Sequence, residues 1–136
     1  MAQYLADTSA LERLHHPDVL QRVEALYLNG RIATCWSVDL ELLYSARNAD
    51  AHAAVLTDRR FLPRVPCGDA VGDRAIEVQG LLARSGRHRL PINDLVLAAA
   101  AELSGLTVLH YDHDFETISE VTGQDNEWVV PRGSVP

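Results

Sequence analysis

Four short apolar runs, at residues 3–6, 31–35, 106–111 and 128–130, never stand next to one another: helix-patterned sequence separates each from the next. Strands joined through helices run parallel, in a sheet covered on both faces. Apolar spacing and stop signals place helices at 9–15, 18–28, 37–46, 51–61, 69–83, 95–103 and 114–121. Thr8, Ser9 and Ser37 are expected caps, and Asn29-Gly30, Pro63, Pro66, Gly105 and Gly123 are stops. The expected order is β-α-α-β-α-α-α-α-β-α-β. The fold class is α/β: a mostly parallel central sheet of about four or five strands flanked by helices, one domain over 1–136. The tail 131–136 is expected to be loop-like and to add nothing to the fold, because residues 130–134 read Val-Pro-Arg-Gly-Ser, a protease-recognition pattern. In such folds ligand chemistry sits at the C-terminal ends of the strands.

Composition narrows the chemistry. All 12 basic residues are arginine, so lysine-dependent phosphate loops, Schiff-base enzymes and phospho-receivers are disfavoured. Two cysteines, Cys35 and Cys67, are too few for a disulfide framework or a cysteine zinc site. No apolar run reaches the ~20 residues of a membrane span, and the N-terminus lacks a basic start, so a cytoplasmic protein is expected. A net charge of −7 argues against wrapping nucleic acid by bulk electrostatics, but not against recruiting a divalent ion through clustered acids.

The acids fall where such a cluster would form. Asp7 and Asp112 each follow an apolar strand directly, so a parallel sheet brings both to the same edge. Two carboxylates there repel unless a cation lies between them; the alternative is that each caps the following helix. Asp94 opens a very apolar helix, with Asn93 available to cap it instead. Glu41 and Asp39 share the apolar stretch 38–44, and periodicity does not choose between them. Asp114, two residues after Asp112, is either a further ligand or a helix cap. No histidine has zinc spacing with the cysteines, and hard oxygen donors point to Mg²⁺ or Mn²⁺. Ser9 suits a supporting role better than a nucleophile. Arginines cluster at Arg59, Arg60 and Arg64, and again at Arg84, Arg87 and Arg89 with His88; the second group is expected to form a positive, phosphate-contacting rim before Asp94.

Taken together, these segments resemble the PIN-domain ribonucleases, and within them the VapC-type toxins of bacterial toxin–antitoxin pairs. Tyr4-Leu5-Ala6-Asp7-Thr8-Ser9-Ala10-Leu11 is similar to the family's first acidic motif, and Glu41-Leu42-Leu43-Tyr44-Ser45-Ala46 to its second, with Ser45 where glycine is more usual. Residues 91–99 resemble the third, and Leu109-His110-Tyr111-Asp112-His113-Asp114-Phe115 the fourth, with His110 where threonine or serine is commoner. The resemblance runs from residue 4 to about 131 and selects Glu41 over Asp39. It implies a PIN-domain fold. It also implies Mg²⁺- or Mn²⁺-dependent hydrolysis of a structured RNA, such as a tRNA or ribosomal RNA loop, leaving 5′-phosphates. Asp7, Asp94, Asp112 and Asp114 would hold the metal, Glu41 would handle the water, and Ser9 and His110 would support them. Implied partners are a VapB-like antitoxin and a second copy of the chain, in a higher assembly with the antitoxin. The alternatives are a PIN-like nuclease acting in RNA processing or on DNA, and a non-enzymatic PIN scaffold.

Overall fold

A computed structural model describes all 136 residues. The elements are β1 (Tyr4–Ala6), α1 (Thr8–Leu11), α2 (Pro17–Leu28), β2 (Ile32–Ala33), α3 (Trp36–Tyr44), α4 (Ala49–Arg59), α5 (Asp69–Ala83), α6 (Ile92–Leu103), β3 (Thr107–His110), α7 (Asp114–Thr122) and β4 (Asn126–Trp128). The four strands form one parallel sheet in the order β2-β1-β3-β4. β1 is central. Its Leu5 pairs with Ala33 on one side and Val108 on the other.

Alternation along the strands sends side chains to two separate cores. Leu5 and Val108 face a larger one, built with Val38, the inner faces of α5 and α6, and Phe115 and Ile118 of α7. Tyr4, Ala6 and Leu109 face a second, closed by Ala10, Val19, Val23 and Leu62. α6 is the most enclosed helix, with Leu95 and every residue from 97 to 101 buried. Four of those five are alanines, which allow close approach to the sheet and to α5. Gly105, at φ +68°, reverses the chain so that Leu106 N–H bonds Ala101 and β3 starts at once.

The architecture is the expected one, with local differences that have physical causes. The first helix is a single turn, because Pro17 disfavours helical geometry at His16 and instead opens α2 as its first residue. Ser37 does not cap α3; Cys35 holds that position, and Ser37 is buried in the first turn with its Oγ 3.2 Å from the Cys35 Sγ. The helix expected from 95 begins at Ile92, directly after Pro91. The last strand is Asn126–Trp128 rather than 128–130, since Val108 pairs with Asn126 and His110 with Trp128. Val129 and Val130 are core residues lying beyond the paired strand, where Arg22 of α2 reaches the Trp128 and Val129 carbonyls.

The tail also departs from expectation. The Tyr111 hydroxyl donates to the Val135 carbonyl and accepts from Gly133 and Val135 N–H, while Arg13 Nε donates to the Pro136 carbonyl. The tail is thus packed onto the segment following β3.

α3 is locked to α4 by Asp39. Its buried carboxylate accepts from Thr34 (2.8 Å), Arg59 (3.0 Å) and Arg64 (2.8 Å). The Arg59 side chain is only 12% exposed, so removing its acid leaves a nearly enclosed charge unpaired. Asp39→Ala is expected to cost about 3 kcal/mol of stability, read as a lowered urea midpoint.

Candidate active site

The acids meet where the parallel strands end. Asp7 leaves β1 with its backbone N–H still bonded to the Leu109 carbonyl (2.8 Å), then turns into α1 as its N-cap, accepting from Ser9 N–H at 3.0 Å. Capping and membership of an acidic cluster are therefore both true of Asp7. Burial pushes its carboxyl above the ordinary range, and the charges of Glu41 and Asp112 push the same way against the Ser9 hydrogen bonds. Asp112 lies two residues past β3 and accepts from Asp114 N–H at 2.9 Å. It is thus Asp112 that turns the chain into α7, while Asp114 is the first residue of that helix.

Asp94 comes from across the cleft, in the first turn of α6. It is 7% exposed, and its Oδ2 is enclosed without any hydrogen-bond partner. Burial pushes this carboxyl up to about 8, with Asp7, Asp114 and Asp112 adding to the effect. Asp94, Asp112 and Asp114 each bring one carboxylate oxygen to within 4.8 Å of the others. An orphaned buried oxygen among converging acids is a site short of positive charge. Its all-oxygen donors fit a hard divalent cation such as Mg²⁺ or Mn²⁺.

Glu41 sits on the same helix as Asp39 but two residues on, about 200° around the axis, and faces this cleft. Thr8 Oγ1 donates to its Oε2 and Asn93 Nδ2 to its Oε1, each at 2.6 Å. Neither donor was identified as part of the site from sequence. Asn93 is available from sequence as a cap for α6, yet α6 has no side-chain cap. The available signal was position: each is a polar residue adjoining a site acid, Thr8 beside Asp7 and Asn93 beside Asp94.

Two further side chains set the strand ends. Ser9 Oγ accepts from Tyr111 N–H at 2.9 Å, tying the Asp7 turn to the segment that carries Asp112. His110 is fully buried; its Nε2 lies 2.7 Å from Asn126 Oδ1, and its Nδ1 accepts from Asp112 N–H at 3.1 Å. That pairing requires a neutral ring protonated on Nε2, consistent with burial pushing its pKa down. The loop arginines of residues 84–89 are either paired or exposed. Arg87 pairs with Glu120, in the last turn of α7, whereas Asp114 opens that helix. Arg84 and Arg89 are exposed.

Known proteins share this sequence pattern and fold. The PIN-domain family matches residues 4–121. Ribonuclease VapC18 of Mycobacterium tuberculosis is 42% identical over 135 residues, spanning 97% of this chain and 98% of its own. Ribonuclease VapC2 of the same species is 59% identical, over 96% and 94%. Among solved structures, VapBC2 from Rickettsia felis, bound to a DNA fragment from its promoter, aligns with a TM-score of 0.74 at 18% identity, covering 91% of this chain and 96% of the other. VapBC-5 from M. tuberculosis aligns with a TM-score of 0.62 at 28% identity, covering 94% and 98%.

The raised Asp94 carboxyl has a signed consequence. A group whose folded pKa lies above its unfolded value, here about 8 against 3.8, contributes stability that is full below the unfolded value and lost as pH rises through the folded one. His110 acts oppositely below its ordinary 6.5, so the informative quantity is the difference between wild type and Asp94→Asn. Without metal, the wild-type melting temperature is expected to fall by several degrees relative to Asp94→Asn between pH 5 and pH 8.5. Mn²⁺ should restore it more strongly at pH 8.5 than at pH 5, and only in the wild type. With the family matched over residues 4–121 and relatives matched over nearly its full length, the chain belongs to the PIN-domain family, among the VapC proteins.

Proposed function

We propose that this protein is a divalent-metal-dependent endoribonuclease, the toxin of a VapBC pair, which hydrolyses a phosphodiester bond in a structured RNA loop and is neutralised by a cognate antitoxin. The observation that carries this reading is the convergence of Asp94, Asp112 and Asp114, with Asp94 Oδ2 buried and unpartnered and the charge of Asp7 acting on the same carboxyl. The names of its relatives, ribonucleases of the VapC series, support it, as do aligned structures of VapBC complexes.

Asp7, Asp94, Asp112 and Asp114 would hold Mg²⁺ or Mn²⁺, which when bound neutralises phosphate charge and lowers the pKa of water. The residues do the rest. Thr8 and Asn93 each occupy one oxygen of Glu41, fixing the plane of its carboxylate and leaving the remaining lone pairs to orient a water and accept its proton. Ser9 and His110 hold the Asp7 and Asp112 turns at a constant separation, so the acids do not spread when like charges face each other. Attack by water at phosphorus leaves a 5′-phosphate and a 3′-hydroxyl. RNA loops suit such a site because their bases are unpaired and the backbone can bend into a cleft. A second copy of the chain would cover the apolar strip between α5 and α6, where Ile76 and Ile92 are exposed.

Purified protein incubated with total small RNA tests the reading. Cleavage at few sites is expected, dependent on Mg²⁺ or Mn²⁺, with 5′-phosphate ends, and lost by at least ~10³-fold in Asp7→Asn. Metal-independent cutting, or equal cutting by Asp7→Asn, would sink it. Asn93→Ala is expected to lower kcat ~10-fold with KM little changed, because it leaves one Glu41 oxygen free to swing. The same change made in Glu41→Gln should have almost no further effect, which a double-mutant cycle reads directly.

A further inference from the structure

The acidic cleft must receive a polyanion, and two arginines stand beside the segment that carries Asp112 and Asp114. Tyr111 directly precedes Asp112, and His113 separates Asp112 from Asp114. Around these two residues stand two arginines. Arg13 lies over the Tyr111 ring, 4.6 Å from its centroid, and donates to the Ser9 carbonyl at 2.6 Å. Arg132, in the tail, lies 5.4 Å from the centre of the Trp128 ring, with its NH1 3.4 Å from His113 Nδ1 and 3.7 Å from Glu116. Tyr111 and Trp128 meet edge to face at 5.2 Å and 87°. The result is an alternation of arginine and aromatic rings beside the acids.

Arg132 is the least tightly held member of this set. Its side chain is 61% exposed and its polar contacts are long, so it can turn to a new anion without breaking a short bond. Arg13 has no acidic partner and is fixed through the tail and Ser9. A guanidinium backed by an aromatic ring, with a second aromatic beside it, suits a single-stranded backbone: the cation takes a phosphate and the ring faces a base. The arginines of residues 84–89 lack this setting, since Arg87 is already paired at the far end of α7.

We propose that Arg132, backed by Trp128 and flanked by Arg13, is a phosphate contact for single-stranded RNA entering the cleft on the Asp112–Asp114 side. This rests on the ribonuclease reading and adds the direction from which the strand arrives. The test is steady-state cleavage of a loop-containing RNA in Mg²⁺ by wild type and by Arg132→Gln, an exposed substitution. Binding of a fluorescent single-stranded RNA is measured in parallel on Glu41→Gln, with and without Arg132→Gln. Arg132→Gln is expected to raise KM and Kd about 5–10-fold while kcat stays within about twofold, and to reduce the slope of log affinity against log salt by ~0.7, one phosphate contact on a single strand. Unchanged KM, Kd and salt slope would overturn the proposal, as would a loss confined to Arg84→Gln/Arg89→Gln. If wild type cuts no RNA but the binding experiment still depends on Arg132, the contact stands and the cleavage reading falls. If wild type cuts RNA and Arg132→Gln behaves identically, the contact alone falls.

Discussion

Like charges forced together at the end of a parallel sheet are the constraint around which this molecule is arranged. Asp7 and Asp112 emerge from adjacent strands, and their separation is set by backbone pairing that runs from Tyr4–Thr107 to Ala6–Leu109. Asp94 is driven against them by α6, whose alanine-rich face is held inside the larger core. Neither element can retreat without opening that core. Burial, with the neighbouring charges adding to it, therefore leaves Asp94 and Asp7 with a raised affinity for protons. Hydrophobic packing supplies the force that holds the acids together, and the acids acquire an appetite for positive charge in return.

α3 shows how one helix serves both sides of this arrangement. Asp39 and Glu41 lie two residues apart and so point nearly opposite ways. Asp39 turns toward α4 and is saturated by Thr34, Arg59 and Arg64, which fixes the rotation of the helix. Glu41 is thereby presented to the cleft, where Thr8 and Asn93 receive it. These ion pairs take no part in the acidic cluster, yet they define the azimuth of the residue proposed to handle water.

Much of this was legible from sequence. Strand order along the chain, the parallel sheet and the meeting of Asp7 and Asp112 follow from where acids fall relative to apolar runs, whereas Asp94 and Asp114 joined the set through the resemblance. Glu41 and Asp39 were not separable by periodicity, because an almost wholly apolar helix gives no polar face to read; only resemblance distinguished them. The last strand was placed two residues late because Val129 and Val130 have the hydrophobicity of a strand but spend it in the core beneath α2. The partners of Glu41 and the anchoring of the tail are contacts across 33, 52 and 24 residues, and no local pattern encodes them.

The ring of His110 carries one last implication. Both of its nitrogens are engaged, one with Asn126 and one with the Asp112 backbone, so an imidazole stands beside the acids without a free lone pair to offer. What remains is an oxygen-only pocket. Soft, tightly binding ions such as zinc and copper gain their advantage largely from nitrogen and sulfur donors, and here they find none. With histidine at this position, it is the saturation of the ring that keeps its nitrogens out of the donor set offered by the acids.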